Sequence, residues 1–389
     1  QNTAIGANAL TDNTTGAFNT AVGRLSLQDT TTGGYNTAVG EGTLEFNVTG
    51  SNNTAIGRGA LQDNTVDNNT AVGYNALVEN TTGTSNTAVG ALALDANTTS
   101  NNNTAVGYNA FGANTSGSEG TAVGKSALEA NTTGESNTAM GHIALSANTT
   151  GSDNVAIGRG TLAANNADGN TAVGYFALTA NTTGASNTAV GGYALDACTT
   201  GHSNTAVGYL SLSGDVDGIR NVAIGFHAGQ AQNDADDCVW IGYQAGLSNT
   251  TGDSNTGIGK DALRANTTGS QNVALGQDAL TLNTTAIRNV AVGVDALGAN
   301  TTGANNVAMG YVALAGNTTA SYNTAVGDNA MVVNTTGAGN AAYGAYAMYA
   351  NTTGHSNTAL GAYSPTTGGS NVVAALKDNT TGAYNIAIG

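Results

Sequence analysis

One pentapeptide recurs from end to end of this chain. Asn-Thr-Ala-Val-Gly, or a close variant, begins at residues 2, 19, 36 and 53 and continues to 357, 371 and 385, with most intervals 17 residues long. Two intervals, after 53 and 154, are 16 residues, and the last two are 14. The full unit reads N-T-A-V-G-x-x-A-L-x-x-N-T-T-G-x-x, numbered below as positions 1 to 17 from its first Asn. A unit this short cannot bury a core alone, so it must stack on its copies. Gly at position 5 and usually at 15, with Asn-Thr-Thr between them, rules out a helical hairpin. Thr-Ala-Val is short, β-branched and bounded by Asn and Gly, the pattern of a brief strand. The expected fold is therefore all-β: a parallel β-solenoid of about 17-residue coils, each strand pairing with its copies above and below. No linker or change of composition interrupts the repeat, so residues 1–389 read as one continuous array. Both termini fall inside a repeat, and we expect the array to belong to a longer fibre protein.

Composition narrows the function classes. Gly numbers 56 and Pro one, and only 9% of residues are charged. A disordered chain would be rich in charge or proline, and this one is neither. The net charge is −16, with nine scattered Lys and Arg. Binding of nucleic-acid phosphates needs clustered cations, so no nucleic-acid partner is expected. No run of 18 apolar residues occurs, so no membrane insertion is expected in this segment. Cys198 and Cys238 lie more than two repeats apart and read as separate free thiols.

The columns of the stack divide by residue type. Position 4 is almost always Val or Ile (Val22, Val72, Ile157, Ile224), and position 9 is mostly Leu (Leu10, Leu77, Leu145, Leu297). Position 2 exchanges Thr for Val (Val155, Val222, Val273), and position 13 does so at Val48 and Val216. These four columns are taken as the core. Alternation along a strand then turns position 3 outward. Position 3 is almost always Ala, with Trp240, Gly257 and Val373 as exceptions, and position 8 is always small. An outward column of alanines implies close approach by another copy. Ala71, Ala88, Ala105, Ala76 and Ala110 are accordingly assigned to interchain packing, with Trp240 opening that seam. The same periodicity also admits the reverse arrangement, in which alanines line a narrow lumen and positions 2 and 4 face out. Asn at position 1 (Asn19, Asn36, Asn53) and position 12 (Asn80, Asn97) is expected to form amide ladders along the axis.

Other candidates are sparse. Tyr74, Tyr108, Tyr175 and Tyr209 recur at position 6 as surface ligand contacts or shields of sheet edges. Asp215 and Asp217 replace an Asn-Thr-Thr-Gly turn with oxygen-rich residues and are weak calcium candidates, although the spacing of a known calcium loop is missing. His142, His202, His227 and His355 sit at unrelated positions. No nucleophile, base and orienting acid recur together, so no catalytic residue, metal or cofactor is assigned and no enzyme is expected.

The strands Asn154-Val155-Ala156-Ile157-Gly158 and Asn221-Val222-Ala223-Ile224-Gly225 resemble the head repeats of YadA-type trimeric autotransporter adhesins. The units beginning at 357 and 371 match that family's shorter period. The longer unit, with Ala-Leu and Asn-Thr-Thr-Gly, is similar to Asn/Thr-rich arrays of bacterial and phage tail-fibre-like proteins. The resemblance implies a left-handed parallel β-roll, a parallel homotrimer, and display on a cell surface or virion appendage. The expected role is the shaft or head of an extracellular fibre or adhesin, projecting a tip or assembling a filament, with a host-surface glycan or protein as a further partner. The alternative is a ligand-binding solenoid with an ice-binding or glycan-binding face. Inward-facing threonines at position 2 would count against the ice-binding version.

Overall fold

The computed structural model describes residues 1–362 and 374–389. They fall into two compact units, Gln1–Gly192 and Tyr193–Gly389. Each is a parallel β-solenoid, and no helix occurs among the described residues. The first unit carries twelve three-residue strands, β1 (Thr3–Ile5) to β12 (Thr188–Val190). The second carries eleven, β13 (Thr205–Val207) to β23 (Ile386–Ile388). Within each unit successive strands pair in parallel and in strict register, as in Thr87↔Thr104, Ala88↔Ala105 and Val89↔Val106.

The face assignment is the reverse of the one taken from the sequence. Ala71, Ala88 and Ala105 at position 3, with Ala76 and Ala110 at position 8, are fully buried within the single chain. They line the lumen and are not an interchain surface. Of the four columns taken as core, only position 9 lies inside, as at Leu77 and Leu94. Positions 2, 4 and 13 face out: Val39 and Val106 are each 37% exposed, and Val48 is 41% exposed. The physical reason is width. The hydroxyl of Ser26, at position 8, donates to the carbonyl of Ala38, at position 3, across 3.1 Å. A lumen that narrow accepts a methyl group from each wall and leaves no room for a column of valines.

Tight turning explains the rest of the repeat. Leu27, Leu61 and Leu94 at position 9 have φ near +52°, in the left-handed region. That conformation costs about 1–2 kcal/mol per residue. Burying the leucine side chain returns about 1.5–3 kcal/mol, which offsets the strain. The glycine at position 5 has a steric role. A Cβ on Gly73, which has φ +146°, would lie 2.4 Å from the carbonyl oxygen of Gly90 in the next winding.

Irregular windings keep the register by changing their turns. In the 16-residue windings the Nδ2 of Asn53 and Asn154 reaches the carbonyls of Val66 and Ala167, 13 residues on, each at 2.8 Å. Regular windings make the same bond 14 residues on, as from Asn36 to Gly50. Across the two 14-residue intervals the described strands keep their register. Thr358–Leu360 pairs directly with Ile386–Ile388. Asn385 N–H donates to Asn357 Oδ1, 28 residues earlier, and Asn379 donates to Asn351 Oδ1 in the position-12 column. Both asparagine columns thus continue across a 28-residue interval. Asn371 and Val373 lie outside the described residues.

Candidate functional site

The outward sheet face is the most extended feature of the surface. In the first unit, position 2 is Thr in every strand except that of Val155, and position 4 is Val, Ile or Met throughout. The two columns run side by side, two residues apart, with neighbouring strands roughly 4.8 Å apart along the axis. Val89 and Val190 are each 37% exposed, Ile56 41% and Met140 43%. In the second unit Val replaces Thr at Val222, Val239, Val273, Val290 and Val307, so that face is more apolar.

Two adjacent amide ladders, whose side chains share position-15 carbonyls such as that of Gly50, stiffen the turn. The N–H of Asn36 donates to Asn19 Oδ1, and the N–H of Asn53 to Asn36 Oδ1, each at 2.9 Å. In the other column, Asn97 Nδ2 donates to Asn80 Oδ1 at 2.8 Å, and Asn114 Nδ2 to Asn97 Oδ1 at 2.9 Å. All of these side chains are buried, where an unpaired amide would cost about 1–3 kcal/mol. Both ladders run the same way, the earlier winding accepting and the later donating. The position-12 ladder breaks at each short winding: Asn47 Oδ1 and Asn148 Oδ1 are buried without a partner.

Residues 198–257 repack the interior. Trp240, at position 3, is fully buried and opens no seam. Its ring fills space vacated by three glycines. A Cβ on Gly246 would lie 2.3 Å from the indole, one on Gly229 2.6 Å and one on Gly257 2.9 Å. Gln232 replaces the column asparagine and accepts the indole N–H at 2.8 Å. The sequence signal was the loss of Leu at position 9 in two windings flanking the one tryptophan. Cys198 and Cys238 are free and buried in the two asparagine columns. Each thiol takes over the bond its column makes to a position-15 carbonyl, Cys198 to Gly201 at 3.6 Å and Cys238 to Gly252 at 3.2 Å. Burial pushes both thiols up to about 12.

The acidic candidates do not converge. Asp215 is buried in the position-12 column, accepting from the N–H of Gly218 at 3.1 Å, and burial raises its carboxyl to about 7. Asp217 is exposed and shares a hydrogen bond with Asp234, whose carboxyl it raises. The two therefore do not share a cation site, and no group of three or more such ligands occurs among the described residues. A different set, Asp261, Asp278 and Asp295, occupies position 7 of three successive windings around a recess of 400 Å³. Burial, reinforced by Asp278, raises the Asp295 carboxyl, while Lys260 pairs with Asp261 at 2.9 Å. Repetition of Asp in one column was the overlooked signal.

The tyrosines are exposed but form no single row. Tyr74 and Tyr175 lie under Arg58 and Arg159, each 5.9 Å from guanidinium carbon to ring centre. Tyr108 is 53% exposed. Tyr209 joins a stack with Phe226 and Tyr243, with centroids 5.7 and 5.6 Å apart and planes within 19° and 4°. Counting tyrosines alone missed Phe226. Phe226 spends both faces on its neighbours, while Tyr209 and Tyr243 at the ends of the stack are each 47% exposed.

No protein-family model matches the chain, and no curated protein matches it significantly. The likeness to adhesin head repeats therefore rests on the repeat motif alone.

Proposed function

We propose that the chain is the shaft of an extracellular fibre or adhesin, a structural element without enzymatic activity, in which copies pack side by side through positions 2 and 4. The observation that carries this reading is the outward stripe of Val, Ile, Met and Thr on each unit, in which Val106 and Ile157 of the first and Ile224 and Ile258 of the second are each 37–40% exposed. Contiguous apolar surface of this extent marks an interface more often than it marks free surface. Columns in strict register suit a parallel neighbour, and three chains around one axis would bury each stripe. Display on a cell surface or virion appendage follows from that use as a spacer. Sedimentation of the full chain tests the proposal. It requires a multiple of the monomer mass, dissociation by Val89→Glu with Val106→Glu, and an unchanged β-sheet circular dichroism spectrum. A monomeric wild-type protein would remove it.

A second reading is favoured by the same reversal of faces. With the position-2 threonines outward, the Thr-x-Val columns of the first unit form a regular lattice of hydroxyl and methyl groups able to order water. The objection that these threonines face inward is gone. Ice recrystallisation in the presence of the protein separates the readings: inhibition by a monomer supports water ordering, and its absence leaves the shaft.

A further inference from the structure

A cleft opens on the first unit where two successive windings lack a side chain at position 7. Leu25 and Asn75 occupy that column at either end, and Gly42 and Gly59 lie between them. The glycines have φ of +65° and +69°, close to the +60° of Leu25 and +52° of Asn75. The corner is thus the ordinary one with its side chains removed. The gap is widest at Gly42 and less than two strand spacings, roughly 10 Å, in height, because Asn75 leans over Gly59: a Cβ there would lie 2.5 Å from Asn75 Oδ1. Glu41 and Arg58 form one wall, Glu45 and Gln62 the other, and the enclosed volume is 320 Å³.

The lining is polar and balanced in charge. Glu41 sits between Arg24, at 2.5 Å, and Arg58, at 3.6 Å. Arg24 holds the Glu41 carboxyl below its ordinary value. Gln62 Nε2 donates to Glu45 Oε2 at 2.8 Å. Two arginines and two glutamates cancel, so neither a polyanion nor a polycation is favoured. No apolar floor is present to hold a lipid. What remains is a set of planar guanidinium, carboxylate and amide groups, already paired with one another along the walls and with further donor and acceptor sites to spare. That pattern complements vicinal hydroxyls.

The chain contains its own closed counterpart. Arg159, Gly160 and Tyr175 repeat Arg58, Gly59 and Tyr74, down to the same cation–ring distance. There, Phe176 stands where Asn75 stands: a Cβ on Gly160 would lie 2.5 Å from the Phe176 ring, and one on Gly59 2.5 Å from Asn75 Oδ1, so each glycine is covered by a side chain of the following winding. One copy of the corner is covered by an aromatic ring and has Ile143 in place of Gly42, and the other is covered by a small amide and stays polar.

We propose that the Gly42–Gly59 cleft binds a neutral saccharide of one or two pyranose rings between the Glu41–Arg58 and Glu45–Gln62 walls. It stands on positions 6, 7 and 10, and holds whether or not copies pair through positions 2 and 4. A small, hydrated, open site implies a Kd of about 1 mM. The test is saturation-transfer NMR and calorimetry on the full chain with glucose, galactose, mannose, N-acetylglucosamine, maltose and inorganic phosphate. At least one neutral sugar should saturate. Asn75→Phe, which copies the natural plug, should weaken it at least about tenfold, and Glu45→Ala, which leaves the cleft open, should also weaken it, both with unchanged circular dichroism. The proposal fails if no neutral sugar saturates below about 100 mM. It fails equally if phosphate is the preferred ligand, or if binding survives Asn75→Phe undiminished.

Discussion

The windings from residue 69 to 119 and those from 198 to 257 share the same parallel strand register but fill the lumen differently. In the first, alanines at positions 3 and 8 meet leucines at position 9, apart from Phe111. In the second, one indole replaces two leucines and the methyl group of an alanine, and cysteine, aspartate and glutamine interrupt the asparagine columns. Even the regular stretch ends in a small version of the same exchange. A Cβ on Gly120, which stands in an asparagine column, would lie 2.3 Å from the Phe111 ring. The solenoid therefore conserves filled volume and satisfied backbone more strictly than it conserves residue identity, as close-packed interiors do.

The sharpest way to break the comparison is Trp240→Ala. It leaves a void walled by Gly229, Gly246 and Gly257, with an expected loss of about 3–5 kcal/mol in urea denaturation followed by circular dichroism. Adding Gly229→Leu and Gly246→Leu should recover much of that loss. Those glycines have φ of +59° and +62°, close to the values of the column-9 leucines, so the backbone already suits Leu. No recovery would mean that the second region holds its shape by something other than volume.

Asp215 gives the next largest effect. The folded chain holds its proton up to about pH 7, while the ordinary carboxyl releases it near 3.8. Burial therefore costs nothing below the lower value, costs progressively more as pH rises between the two, and reaches its full cost above the upper one. Asp215→Asn restores the column residue and should stabilise the second unit at pH 8 by a few kcal/mol, with little change at pH 4. Matching pH–stability profiles for the two proteins would show that the carboxyl is solvated.

A smaller effect is expected from Asn97→Ala in the regular region. It strips Asn80 Oδ1 of its donor and leaves Asn114 Nδ2 with one fewer acceptor. The expected cost is about 1–3 kcal/mol, read as faster amide exchange in the neighbouring windings. Asn47 and Asn148, each already unpaired at Oδ1, show that the solenoid survives such breaks singly.

The period, the strand at Thr-Ala-Val and the asparagine ladders were legible because each repeats in sequence. The inside and outside of the strand were not, because alternation ties Val22 to Thr20 and opposes both to Ala21 without saying which side is the lumen. Only the width of the lumen decides that, and width depends on how the turns at positions 7, 9 and 17 close. Those turns place leucines such as Leu77 at φ +53°, a conformation that a sequence of ordinary leucines does not announce. The cleft at Gly42 and Gly59 was invisible for a related reason. Its walls come from side chains about 17 residues apart, and glycine at position 7 resembles any other turn glycine until Phe176 shows what fills the gap elsewhere.

The smallest effect separates buried from exposed ladders. Thr98, Thr115 and Thr132 at position 13 donate to the carbonyl of the next winding's position 13, at 3.2, 3.1 and 3.0 Å. This hydroxyl ladder is as regular as the amide ladders, but it lies at the surface. There each bond is exchanged for one to water, and the carbonyl that loses its hydroxyl partner is resolvated. Val has the shape of Thr and already stands at this position in Val48 and Val216. Thr115→Val should therefore cost about 0.5 kcal/mol or less, and the triple replacement only the sum of three such changes. A loss as large as that of Asn97→Ala would mean that the outer hydroxyls are screened from water and act as a structural ladder in their own right.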